Sequence, residues 1–382
     1  MNSNLAFHFD YTDYAAKMGT EGDIFQTILD DYEKLGLVGE ETNKLMAYLA
    51  ATSRLMEKPL NILVLSSSGA GKSALQDKTL KLMPPESVIR ISAITDKALY
   101  YQKSLKNKLL ALEEAAGVKD SYAIRTLISE GYLAQETVSG NQGQSLHVEG
   151  GCSIFQTTTN PEINPETKSR FFILGVDESR EQTRRILELQ RQAQTLEGLK
   201  TNAEVTGIIG KHHSFQRLLE PFPVVNPYAS ELIYEDDRLQ ARRNQPKFLQ
   251  LINTIAFLRQ MQKPVKRYEG IEYIEVDRTD IDMAVKLASE LLGISLDDLS
   301  IPARNLLQLL TEMKQPIFTR AEVMNHTGWC KSRLHAHLTE LIEMELVVPQ
   351  SAKKNSLHTY KLLYNGEGQD GHKFCIGLAP VQ

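Results

Sequence analysis

The sequence predicts an α/β fold: a parallel sheet with crossover helices, then a mainly helical stretch, then a small C-terminal unit of a different kind. Three observations predict it. Short apolar runs alternate with helical spacing from Leu60 to about residue 195, the pattern of strands joined by crossover helices. A serine- and glycine-rich turn, Ser66 to Ser73, lies between one such run and a helical segment. After a break at Ser300-Ile301-Pro302, residues 302–363 carry the spacing of a compact helical unit closed by strands.

Bulk properties set the limits. The 382 residues fit two or three domains. Hydrophobic content of 42% and charged content of 24% are ordinary globular values and exclude wholesale disorder. A net charge of −5 excludes a uniformly basic surface, so any nucleic-acid contact has to come from local patches. Cys152, Cys330 and Cys375 are widely spaced and form no disulfide or zinc pattern. The His212-His213 and His335/His337 pairs lack further ligands at metal spacing and read as structural or surface residues. No apolar run approaches the roughly 20 residues of a membrane span, and the polar, acidic start from Met1 to Asp13 is unlike a signal peptide. A cytoplasmic, soluble protein is expected.

Residues 1–20 show no periodicity and are expected as an arm. Asp23 to Glu57 has helical spacing, interrupted near Gly36 and Gly39. Leu60–Leu65 reads as a buried strand, with a helix from Ala74 to Leu82 beyond the turn. Lys108–Leu112 and Ser153–Thr159 read as further core strands, and Ile173–Val176 is a later apolar run. Residues 200–295 read as mainly helical, with an irregular stretch at Pro221, Pro223 and Pro227 and a strong helix at Phe248–Met261. There is no internal repeat.

The turn Ser66-Ser67-Ser68-Gly69-Ala70-Gly71-Lys72-Ser73, followed by Ala74, has the setting a phosphate-binding loop requires. Gly69 and Gly71 let backbone N–H groups point at phosphate oxygens, and the following helix adds a partial positive charge of roughly +0.5 at its N-terminus. Lys72 would reach the β- and γ-phosphates of ATP, and the Ser73 hydroxyl would ligate Mg²⁺. Ser66 stands where the first glycine of the usual pattern is found. Glu113-Glu114, at the end of the second core strand, suit one Mg²⁺-associated carboxylate and one that orients the attacking water. Asn160, at the tip of the third, can sit between these acids and the γ-phosphate. Arg170, in Lys168-Ser169-Arg170-Phe171-Phe172, could reach a neighbouring subunit's nucleotide.

The order of these pieces resembles AAA+ ATPases of the minichromosome-maintenance type, and is most similar to the bacterial MCM-like helicase modules of mobile elements, often found beside a primase. Leu37-Val38-Gly39-Glu40-Glu41, Ser53-Arg54-Leu55, Thr95–Tyr100 and Arg243 through Gln260 add to it, so that it covers roughly residues 35–260. The resemblance implies a P-loop AAA+ core with a helical lid. It makes Asn160 sensor 1, Arg170 an arginine finger and Arg243 sensor 2, with Arg242 as its rival. It also implies a homo-oligomer, a hexamer, with active sites shared between subunits. A pore-facing β-hairpin is expected too: Ala134–Ser139 and Ser145–Glu149 flank a five-residue connection, Gly140 to Gln144, whose Asn141 and Gln142 would grip DNA by hydrogen bonding.

The C-terminal unit reads as a winged helix. Ala303–Met313 forms its first helix; the second follows Thr319, which makes a capping box with Glu322. Gly328 marks a turn, the third helix runs about Cys330–Met344, and Val347-Val348 with His358–Leu363 form wing strands. Lys331, Arg333 and His335 lie on the outer face of the third helix, with Lys353 and Lys354 at the wing tip; together they form a DNA-binding surface. A winged helix also serves as a protein-docking module. The expected division is 1–35, an N-terminal arm or helical segment; 36–195, the ATPase core; 196–298, the lid; and 299–382, the winged helix. The function expected is an ATP-driven ring helicase or helicase-like initiator on DNA. The alternative is a DNA-bound ATP switch that does not translocate.

Overall fold

The computed structural model describes residues 10–67, 69, 71–91, 99–102, 104–113, 122–139, 142–160, 163–232, 241–291, 299–350 and 359–366. The side chains of 137–139, 142–144, 165, 202 and 241–243 fall outside that description. The chain divides into two compact units. One comprises Met1–Ala229 with Lys247–Ala284, the other Ser230–Pro246 with Val285–Gln382.

The first unit begins with α1 (Thr12–Thr20), α2 (Ile24–Lys34) and α3 (Glu41–Ser53). The sheet-forming segment follows in the order β1 (Ile62–Leu65), α4 (Lys72–Leu82), β2 (Val88–Ile91), β3 (Leu109–Leu112), α5 (Tyr122–Glu130), β4 (Tyr132–Ser139), β5 (Gln142–Glu149), β6 (Ser153–Thr158), α6 (Pro165–Lys168) and β7 (Phe172–Gly175). After it come α7 (Arg180–Gln192), α8 (Leu196–Leu218), β8 (Val224–Val225), α9 (Ala241–Leu258), β9 (Lys266–Tyr268), β10 (Ile271–Glu275) and α10 (Arg278–Leu291).

Five parallel strands form the central sheet in the order β2-β3-β6-β1-β7. All four residues of β3 are buried, as a parallel strand covered on both faces should be. Leu63, Leu110, Leu112, Ile124, Leu127, Ile154 and Phe171 belong to one apolar cluster that joins the sheet to α5. The phosphate-loop strand β1 therefore has β6 on one side and β7 on the other, and β6 separates it from β3. Asn160, just past the end of β6, therefore follows the strand that lies between β1, which leads into the loop, and β3, which leads into Glu113.

Residues 12–20, expected within an arm, form a helix, and α2 lies in the segment whose spacing reads as helical. α1 buries only Ala15, Met18 and Gly19, two of them small, so no periodic apolar signal reaches the sequence. At Gly19 a Cβ would lie 2.3 Å from Met261 Sδ, which fixes how closely this helix approaches its neighbours. The segment expected as a separate lid is likewise tied to the sheet unit, through buried polar contacts made by α8. His212 bonds Tyr48 of α3 and Asp31 of α2, and Gln216 bonds Arg54. It also contains an unexpected small sheet, β8-β10-β9. Its hairpin turn, Glu269 (φ 47°) and Gly270 (φ 86°), was a readable signal between two charged strands. α9 starts seven residues before Phe248 and carries Pro246 inside it, the residue that hid its first turns.

The β4–β5 hairpin is present, with a correction. Ser139 pairs with Gln142, so the connection is two residues, 140–141, rather than five. Gln142 and Gln144 extend the ladder because polar side chains do not prevent backbone pairing on an exposed ribbon, and Gly-Asn suits a two-residue turn. Asn141 lies outside the described residues; Gln142 is described by its backbone alone.

The second unit contains α11 (Ile301–Glu312), β11 (Ile317–Thr319), α12 (Arg320–Thr327), α13 (Lys331–Glu343), β12 (Val347–Gln350) and β13 (Thr359–Leu362). Its antiparallel sheet runs β11-β13-β12, and Leu306, Leu310, Phe318, Val323, Leu334, Leu338, Leu341 and Tyr360 fill its core. The expected capping box of Thr319 and Glu322 is formed, and Gly328 (φ 67°) closes α12. β11 was not foreseen. Lys353 and Lys354 lie outside the described residues. Among the described residues no helix is long and apolar enough to cross a membrane.

Candidate phosphate-binding site

The site stands at the C-terminal end of the parallel strands. β1 ends at Leu65, in register with Thr158 of β6 and Gly175 of β7. The chain then turns through Ser66 and Ser67 to α4. Gly69 (φ 82°) and Gly71 (φ 108°) take left-handed conformations that a side chain would strain, and Gly71 is the N-cap of α4. Ser68 and Ala70 lie outside the described residues. Lys72 and Ser73 form the first turn of α4, two residues earlier than the sequence suggested. Ser73 is exposed and Ala74 half-buried.

Lys72 is 7% exposed, and its Nζ donates to the carbonyl oxygens of Ser66 (2.9 Å) and Ser67 (2.5 Å). The Ser66 hydroxyl is buried with no hydrogen-bond partner among the described residues. A buried orphan hydroxyl, a cation and a helix N-terminus converge on one loop, and this arrangement suits a phosphate.

On the acidic side, Glu113 follows β3 directly. Its carboxylate is bound by the Arg90 guanidinium, which also pairs with Asp77 of α4 at 2.7 Å. The bond to Glu113 holds Arg90 protonated above its ordinary range. Glu113 thus has one oxygen engaged by a cation, and Glu114 lies outside the described residues. A serine hydroxyl and a carboxylate are hard oxygen donors of the kind Mg²⁺ takes, so Ser73 and Glu113 fit that ion.

Asn160 lies two residues past β6, its N–H bonded to Thr158 Oγ1 at 3.1 Å. Arg170 is engaged within the chain. Its Nε donates to Ser129 Oγ (2.9 Å), its Nη1 to the Glu166 carbonyl (2.6 Å), and its Nη2 pairs with the Glu166 carboxylate (3.2 Å). Arg243 is on the first turn of α9, where backbone alone is described.

Three residues at this site received no role from the sequence. Glu178 Oε1 accepts from the Ser67 N–H at 2.9 Å, and this bond lowers its pKa. Glu40 Oε1 accepts from the Asp177 N–H at 2.6 Å; burial raises its pKa. Gln76, fully buried on α4, donates from Nε2 to Phe155 O (2.9 Å) and Leu112 O (3.4 Å), joining the phosphate-loop helix to β6 and β3. Glu40 lies in the stretch Leu37 to Glu41 that carries the resemblance, and Gln76 is a polar residue on the buried face of a helix.

In the second unit, Lys331, Arg333 and His335 are exposed on the N-terminal half of α13. The Arg333 guanidinium lies over the Trp329 ring, 4.4 Å from its centroid.

A protein-family model described as MTBMA_p00010 P-loop domain matches residues 11–221, more than half of the chain. No curated protein matches it.

Proposed function

The chain belongs to the MTBMA_p00010 P-loop domain family, a P-loop NTPase family, and from that premise we propose that it is an ATP-hydrolysing motor of the AAA+ class that works on DNA as a ring. The observation that carries this reading is the strand order. β6 stands between β1 and β3, so Asn160 and Glu113 extend from neighbouring strands at the end where the phosphate loop lies. Bound ATP and Mg²⁺ supply the transferable phosphoryl group and the ion that neutralises it. Lys72 would bind the β- and γ-phosphates, Ser73 and Glu113 would hold the metal, and Asn160 would orient the terminal phosphate. Glu114 as water-orienting base, Arg170 as arginine finger, Arg243 as sensor 2 and a hexameric ring complete the MCM-like reading, with a separately encoded primase as a candidate partner.

We read the second unit as a winged helix that binds DNA. Its α13 has no acid in the first turn and places Lys331 there, against the favoured sign at a helix N-terminus. Cations held at that unfavourable position suit contact with phosphate. The exposed hairpin of β4 and β5 suits a role in gripping single-stranded DNA.

Strand displacement coupled to hydrolysis tests this reading: the full chain should unwind a forked duplex with ATP, and Lys72→Ala should do neither. The second reading, a DNA-bound switch that hydrolyses ATP without moving, draws on one observation. Arg170 bonds to Ser129 and Glu166 of its own chain, which suits an arginine that stays in place rather than one that reaches a neighbouring subunit. Hydrolysis without any strand displacement would favour the switch.

A further inference from the structure

We propose that Gln76 is a positioning residue for hydrolysis: from the helix that carries Lys72 and Ser73 it bonds the strands that lead into Glu113 and Asn160, and so sets how far the phosphate-binding groups stand from the groups that act on the terminal phosphate. The proposal rests on the nucleotide-site reading of Ser66 to Ser73 and adds to it a residue buried in the core.

Gln76 lies four residues after Lys72 and three after Ser73 on α4, so it shares a helix face with each, one turn further on. It is 1% exposed, and its Nε2 donates to the carbonyl oxygens of Phe155 in β6 (2.9 Å) and Leu112 in β3 (3.4 Å). Leu112 immediately precedes Glu113, and Phe155 belongs to the strand that leads to Asn160. Ala111 and Phe155 are register partners, so the two acceptors lie one residue apart in register on neighbouring inner strands.

Packing a helix on a sheet does not ask for an amide at this position. Leu75 and Leu82 of the same helix are buried apolar residues, and an apolar side chain at 76 would fill the space without the desolvation cost of an amide. Two hydrogen bonds roughly offset that cost, so their net gain in stability is small. What they add is direction. A satisfied buried donor fixes the slide and rotation of α4 against β3 and β6, which apolar contacts leave looser. The next residue acts in the same sense: Asp77 pairs with Arg90 at 2.7 Å, and Arg90 holds the Glu113 carboxylate. The helix is thus tied to the end of β3 twice, through the Leu112 backbone and through the Glu113 side chain.

Hydrolysis needs Lys72 and Ser73 on one side of the terminal phosphate and Glu113 and Asn160 on the other, at a fixed separation. Without the Gln76 bonds α4 is free to shift against the strands while its own loop stays intact. Phosphate binding by the loop is then kept, and the chemical step is slowed.

Steady-state ATP hydrolysis by the full chain with Mg²⁺, and ATP affinity without it, test this in Gln76→Met, with Lys72→Ala and the unmodified protein alongside. Gln76→Met keeps nearly the same volume and removes the donor, and Gln76→Asn, whose amide falls short of the strands, gives a second reading. Thermal midpoints report folding. Both Gln76 variants should show a kcat at least about tenfold lower, with KM and Mg²⁺-free affinity within about twofold of the parent. An unchanged kcat, a matching loss of binding and turnover, or failure of both variants to fold makes Gln76 a core residue only and overturns the proposal alone. Normal hydrolysis by Lys72→Ala, or none by the parent, overturns the nucleotide-site reading and the proposal with it.

Discussion

The Glu113 carboxylate, one residue past β3, is held by the guanidinium of Arg90 on the adjacent strand β2. Arg90 also reaches Asp77 on the phosphate-loop helix, so one cation joins the acid proposed to hold Mg²⁺ to the helix that carries Lys72 and Ser73. Outer partners of this kind fix the aim of a metal ligand. Arg90→Met should lower ATP turnover by roughly tenfold, and Arg90→Lys should recover part of it. Nucleotide affinity measured without Mg²⁺ should not change. Equal loss with and without Mg²⁺ would mean that Arg90 only supports folding.

Gly71 (φ 108°) caps α4 in a conformation that a Cβ strains. Gly71→Ala should therefore damage nucleotide binding and destabilise the fold by more than about 1 kcal/mol. Calorimetric titration and a urea melt read the two effects separately.

Arg54 is 2% exposed and buried among neutral partners, donating to the Ala51 carbonyl (2.9 Å) and to Gln216 Oε1 (2.7 Å). Burial lowers its pKa to about 10. Removing the acceptor by Gln216→Leu leaves a buried cation short of a partner and should destabilise the first unit by ~2 kcal/mol. Urea unfolding measures this, and a loss below 0.5 kcal/mol, as at an ordinary surface site, would contradict it.

His212 is fully buried between Tyr48 OH (2.8 Å at Nδ1) and Asp31 Oδ2 (2.9 Å at Nε2). A neutral ring that donates from Nε2 and accepts at Nδ1 satisfies both, and burial lowers its pKa. A depressed folded pKa gives stability that is complete above the unfolded value near 6.5 and is lost as pH falls below it. The thermal midpoint should therefore drop between pH 7 and pH 5. In His212→Gln, less stable throughout, that slope should shrink.

Much of this was legible because phosphate chemistry forces local pattern. A strand, two glycines, Lys72-Ser73 and a helix have to be contiguous, and the strands that lead into Glu113 and Asn160 were readable as short apolar runs. The capping box at Thr319 and Glu322 was readable for the same reason, since both partners lie within one helical turn. Contacts between residues far apart in sequence were not readable. Glu178 meets Ser67 only because β7 lies beside β1, and His212 meets Asp31 only because α8 packs on α2. The hairpin loop was read as too long because Gln142 and Gln144 look like turn residues, yet they pair through their backbones. α1 was missed because it buries two small residues and one methionine.

The claim at the centre of this account is a DNA-coupled ATPase with a site completed by a neighbouring subunit. Its most direct test is ATP hydrolysis by the purified full chain with and without single-stranded DNA, with Arg170→Ala measured alongside. The account predicts hydrolysis strongly stimulated by DNA and abolished in the Arg170 variant. Slow hydrolysis indifferent to DNA, or an Arg170 variant as active as the parent, would contradict it.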